Sequence, residues 1–140
     1  SEAVENLEDA RRAANIGLVQ MSQVVNSYPG YGALDMKMQQ VDAQYRPQIE
    51  KKMQEIDKIK DQAQAEAEFN KSVAPLLQKE NDEVNKIAQP MMQNVHNAIE
   101  SVRVEKKMDV VLGDPYTIRA ADANSNVENI TDEVIKRLKK

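Results

Sequence analysis

From Ala33 to Lys107 the chain carries no glycine, and its apolar residues recur every three or four positions along two successive legs. The first leg has Leu34, Met38, Val41, Tyr45, Ile49, Met53, Ile56 and Ile59. The second has Leu77, Val84, Ile87, Met91, Val95, Ala98 or Ile99, and Val102. A stripe this narrow, set among Gln, Glu, Lys and Asp, suits a seam between two helices better than the broad apolar face of a globule. The stretch is therefore read as long, largely solvated helices that pair along one line.

The two stripes match each other if the chain folds back around Asn70 to Val73. Opposing residue numbers then total about 143 or 144, pairing Val41 with Val102, Tyr45 with Ile99 and Ile49 with Val95. The same register pairs Met53 with Met91, Ile56 with Ile87 and Ile59 with Val84. Asn70 and Ser72 are turn and cap residues, and Pro75 is tolerated in a helix's first turn. The expectation is an antiparallel hairpin with legs of roughly 35 residues, about 50 Å long. Pro47 and Pro90 interrupt the legs, but each stripe stays in phase beyond its proline. Each is read as a kink and a point of arm flexibility, not as a helix end.

A hairpin two helices thick has no interior beyond its seam, so a core must come from the remaining residues or from other copies of the chain. The ends supply the apolar runs. Ile16 to Met21 reads as a buried strand, Met108 to Leu112 as a second, and Tyr116 to Ala121 as a third, joined to the second through a turn at Gly113-Asp114-Pro115. Tyr28-Pro29-Gly30-Tyr31-Gly32 breaks the chain before the arm, and Asp122 to Asn129 is polar loop. Thr131 caps a last helix, acidic at its start and basic at its end. The fold class is α+β, mainly α. A head from residues 15–32 and 108–140 holds an inserted arm, residues 33–107, and residues 1–14 are a weakly helical N-terminal extension.

The chemistry of catalysis is missing from the pattern. There is no cysteine, and the sole histidine, His96, falls off the stripe and reads as solvated. No glycine-rich phosphate loop, metal-ligand spacing or nucleophile–base constellation stands out, so an enzyme, a metal and a cofactor are not expected. The formal net charge of −4 argues against a nucleic-acid partner. No segment is apolar enough to span a membrane. Met36 and Met92 also fall off the stripe and are read as outward-facing, adaptable contact residues.

With the organisation laid out, four segments carry a resemblance: Ile16 to Val25, Gln89-Pro90 with Ala98-Ile99 and Val102, Met108 to Leu112, and the closing Asn129-Ile-Thr-Asp-Glu-Val-Ile-Lys-Arg-Leu138. From residue 15 onward the chain resembles the Skp (OmpH-like) periplasmic chaperones. The resemblance implies a jellyfish-shaped homotrimer whose arms enclose unfolded outer-membrane proteins without ATP, in the periplasm. By position it implies that Ile16, Leu18, Val19, Val110, Leu112 and Ile118 join the heads, and that inward arm faces, with Met36, Tyr45 and Met92 as candidates, hold the client. The acidic balance departs from the cationic arms of that family's best-known member and argues against lipopolysaccharide or membrane contact. The competing reading is a structural or adaptor coiled coil that presents its hairpin tip to a folded partner. A prefoldin-like chaperone would place its strands mid-chain, the reverse of the order here.

Overall fold

A computed structural model describes residues 14–113 and 126–140. These fall into two compact units, one drawn from Ser1–Pro29 with Gln93–Lys140 and the other comprising Gly30–Met92. The first, which takes in residues 93–107 that the sequence assigns to the arm, is called the head, and the second, which starts at Gly30 and not at Ala33, the arm.

The head is built on a three-stranded sheet. β1 (Asn15–Leu18) lies at its centre, β2 (Val110–Leu112) on one side and β3 (Asn126–Asn129) on the other, both parallel to β1. Two short helices complete it, α1 (Met21–Asn26) and α5 (Thr131–Leu138), which pack on each other, together with the last part of α4 (Ala74–Glu105). Val19, Val24, Val95, Val102, Ile130 and Val134 are its fully buried side chains.

Two details of the head differ from the sequence expectation, at residues 126–129 and at Thr131. The third strand expected at Tyr116 to Ala121 lies outside the described residues, as does Ile118. Asn126–Asn129, expected to be loop because only Val127 in it is apolar, is a strand. Backbone bonds extend the ladder at both ends: Asn126 N donates to the Ala14 carbonyl and Ile130 N to that of Leu18, at 2.9 and 2.8 Å. Thr131 also has a different task from capping. Its Oγ1 accepts from Gln20 N at 2.9 Å and donates to Asn129 Oδ1 at 2.6 Å, tying the start of α5 to the end of β1.

α4 ends in a Schellman arrangement. Met108 N donates to the Arg103 carbonyl and Lys107 N to that of Val104, with Lys107 at φ 56°. That left-handed position usually belongs to glycine. The reversal delivers Met108 into the head core and lets Asp109 N donate to the Asn15 carbonyl at 2.8 Å, aligning β2 on β1.

In the arm, α2 (Tyr31–Asp57) is about 40 Å long and starts at Gly30, whose φ is 83°. The return begins with α3 (Gln62–Glu68), passes a π-helical turn at Phe69–Val73, and continues as α4. Both Pro47 and Pro90 sit inside continuous helices, as the in-phase stripes imply.

The fold-back point is not where the stripes placed it. The chain reverses at residues 58–61, where Lys58 N and Ile59 N bond back to the Glu55 and Ile56 carbonyls and Asp61 caps α3 through Ala63 N and Gln64 N. Tyr45 and Glu83 share a hydrogen bond, and their numbers total 128, about 15 short of the expected register. Four helical turns are ~14 residues, so the same stripes face the seam after the shift. Asn70 to Val73 is helical instead of a turn. The wider π turn, with Ala74 N donating to the Phe69 carbonyl, directly precedes Pro75, which has no N–H to offer. It also turns Val73 into the seam, where α2 packs on the π turn and Ile56 is buried. Leu77, assigned to the stripe, is pushed to the surface.

Candidate functional site

The features of the described residues that bear on function are surfaces. The first is one face of the head sheet. In parallel strands, residues in register point to the same side, and successive residues alternate. Ile16 is level with Val110 and Val127, and Leu18 with Leu112. These five side chains form one apolar face. Val110 and Val127 are 41% and 39% exposed, and the other three are half-buried. The opposite face carries Gly17, Val111 and then Val19, and a Cβ placed on Gly17 would meet Met108, Val111 and Ile130 there.

Of the six residues assigned to joining heads, Ile16, Leu18, Val110 and Leu112 lie together on the open face. Val19 does not; it is 1% exposed within the single chain and belongs to the head's own interior. Alternation along the strand accounts for the difference, since Val19 is two residues beyond Gly17 on the inward side. Val127 completes the face and was missed, because its strand reads as polar.

Charged pairs stitch the head's rim. Lys106 Nζ reaches Glu128 Oε1 at 2.8 Å and Glu133 Oε1 at 3.3 Å, joining the end of α4 to β3 and α5. Its hydrogen bond to Glu128 holds the Lys106 ammonium above its ordinary pKa. Arg137 bonds Ser101 Oγ at 2.6 Å and pairs with Glu105. Such solvated pairs fix geometry more than they stabilise.

A cleft of about 380 Å³ in the head has Val19, Met21 and Ile99 among its apolar lining and His96, Glu100, Arg103 and Asp109 among its polar lining. Its guanidinium is already committed: Arg103 Nε and Nη2 grip both Glu100 oxygens at 3.0 Å, and Nη1 donates to the Met108 carbonyl at 3.1 Å. The Arg103 hydrogen bond holds the Glu100 carboxyl below its ordinary range. His96 is exposed beside this pair. Among the described residues no group of three or more His, Asp and Glu side chains is placed to hold a metal ion.

On the arm, Met36 and Met92 are 62% and 41% exposed. Leu77 joins them at 43%; the Leu76-Leu77 pair was the available signal, since only one of two adjacent helical residues can enter a narrow seam. Tyr45, a candidate contact residue from the sequence, is not on the surface of the chain. It is 7% exposed, and its hydroxyl donates to Glu83 Oε1 at 2.7 Å. That bond, and burial, raise its pKa above the usual tyrosine value. Pro47 and Pro90 are both exposed on their helices. No helix among the described residues is long and apolar enough to cross a membrane.

Against known proteins, the family model described as outer membrane protein (OmpH-like) matches residues 15–138. No curated protein sequence matches the chain.

Proposed function

The chain belongs to the OmpH-like outer membrane protein family, a family of chaperones and not of enzymes, and from that premise we propose that it is an ATP-independent holdase for unfolded outer-membrane proteins. In this reading the heads of three copies join through their sheets, the arms surround the client, and the assembly works in the periplasm.

The observation that carries it is the open sheet face. Ile16, Leu18, Val110, Leu112 and Val127 form a contiguous apolar surface that stays partly exposed, most of all at Val110 and Val127. Hiding what remains exposed of five such side chains stabilises an assembly by roughly 2–5 kcal/mol per protomer, at about 1.5–3 kcal/mol for each fully buried one. An arm with a thin seam and a polar exterior has the complementary property: it can touch an unfolded chain weakly at many points, and several arms together hold it by multivalency. Met36, Leu77 and Met92 are the apolar contacts it offers.

The adaptor reading has one observation in its favour, a groove of about 400 Å³ whose lining includes Lys52, Glu55, Ser72, Pro75 and Leu76 near the hairpin tip. The two readings separate in one experiment. Light scattering of the parent should give three times the chain mass, and a Val110→Lys, Val127→Lys variant a smaller species with the head still folded. The trimer should suppress aggregation of an outer-membrane protein diluted from urea, and the variant should do so poorly. A monomeric parent that still captures clients would count against the head-joining role, and a parent that captures none would reject the holdase.

A further inference from the structure

We propose that Met36 and Met92 form an oxidation-sensitive pair through which a hydroperoxide weakens client holding while leaving the arm folded; the inference rests on the holdase reading above. The chain has seven methionines and no cysteine, so sulfur chemistry here is thioether chemistry. The structure sorts these methionines into distinct populations. Met91 and Met108 are buried, Met21, Met38 and Met53 are half-buried, and Met36 and Met92 are exposed.

The position of the exposed pair follows from the seam. Met36 lies nine residues from Tyr45 toward the start of α2, and Met92 nine residues from Glu83 toward the end of α4. Because Tyr45 and Glu83 are bonded across the seam, the two methionines stand at about the same level of the hairpin. Nine residues are also two and a half helical turns, so each points half a turn away from its seam residue, outward on its own helix. Their thioethers are therefore open to a small oxidant, and neither contributes its side chain to the seam.

The step is a two-electron oxygen transfer. A sulfur lone pair attacks one peroxide oxygen, the O–O bond breaks, and the proton left on the transferred oxygen passes to the departing hydroxide. The products are methionine sulfoxide and water. An apolar, flexible side chain becomes polar and chiral, which removes an adaptable contact for an unfolded apolar chain. The same change at Met91 or Met108 would instead disturb packing, and there burial protects the sulfur.

The test treats the full-length chain with hydrogen peroxide and follows each methionine by peptide mass spectrometry, with fragment ions separating Met36 from Met38 and Met91 from Met92. Met36 and Met92 should gain oxygen at least fivefold faster than Met91 and Met108, with unchanged far-ultraviolet circular dichroism. Rates within twofold of one another, or loss of helix, would overturn the proposal. Oxidised chain should then need at least threefold more protein to suppress aggregation of a urea-diluted outer-membrane protein, and a Met36→Leu, Met92→Leu variant given the same treatment should need no more than before. If the untreated parent holds clients and the oxidised parent holds them equally well, the regulatory step is wrong; if the untreated parent holds none, the holdase reading itself has failed.

Discussion

Gly17→Ala is the most exacting test of the head. Gly17 is the centre of the central strand, and its missing side chain is what lets the inward face close. A Cβ there would lie 2.7 Å from Met108 Sδ, 3.0 Å from Val111 Cγ2 and 3.4 Å from Ile130 Cδ1. Comfortable separations are about 3.5–4.0 Å, so the sulfur must retreat by nearly an ångström and the valine methyl by about half that. Met108 is flexible but buried, so its sulfur can move only into space occupied by neighbours. Val111 is stiff at χ1 and sits on a strand whose backbone is paired. Overpacking of this kind costs about 1–3 kcal/mol, and relief from glycine's backbone entropy offsets roughly 0.5–1. At the middle of those ranges the net loss is about 1 kcal/mol, or a melting temperature lower by roughly 3–4 °C for a chain of this size. The measurement is urea or thermal unfolding followed by circular dichroism, at one protomer concentration because an assembly's stability depends on it. A double-mutant cycle with Met108→Ala makes it specific: with the sulfur gone, alanine at 17 should cost at least ~0.5 kcal/mol less. A neutral or stabilising Gly17→Ala, or strict additivity in the cycle, would mean that the sheet's inward face is not packed as described.

Three further outcomes follow from local geometry. Lys107→Gly should stabilise the chain by roughly 0.5–1 kcal/mol, because it relieves a left-handed position that an L side chain occupies at a cost, and a lower melting temperature would speak against the Schellman end of α4. The phenolate absorbance lost on Tyr45→Phe should titrate above pH 10, since the bond to Glu83 and burial raise the hydroxyl's pKa; a group so raised contributes stability below its ordinary pKa and loses it as pH climbs through the folded value, so the parent's advantage over the variant should vanish in alkali. Replacing Pro47 and Pro90 by alanine should slow amide exchange around both sites and raise helix stability; they are separated along the hairpin by about nine residues, or ~14 Å, and unchanged exchange would mean that they set a fixed curvature and not a soft segment.

The helices were legible in the sequence and their register was not. An absence of glycine and an in-phase stripe specify continuous helices, even through Pro47 and Pro90, and the same periodicity correctly set Met36 and Met92 outside the seam. Periodicity is blind to a slip of about four turns, because the stripe returns to the same side. The signals that break this degeneracy are polar and local. Asp61 followed by Gln64 is a helix-start pattern, and Asp61 does cap α3. Asn70, Ser72 and Pro75 looked like a competing start, yet a π turn absorbs Pro75 within the helix and Ser72 Oγ donates to Glu68, one turn back. In the head, β3 escaped notice because its pairing is a matter of backbone bonds to β1, which a sequence with one apolar residue does not advertise.

Tyr45 held the deciding information. A tyrosine in a seam presents an apolar ring and a hydroxyl that requires a partner. The register drawn from apolar pairs set it against Ile99, which can accept no hydrogen bond. The observed register sets it against Glu83, a carboxylate on the returning leg that no count of apolar positions would select. Within the head, Tyr28 makes a parallel choice, its hydroxyl accepting from Asn94 Nδ2 at 2.7 Å. In a hairpin whose apolar stripe fits itself in more than one position, specificity falls to the few side chains with a hydrogen bond to lose. The stripe supplies the adhesion between the legs, and the Tyr45–Glu83 bond marks the register.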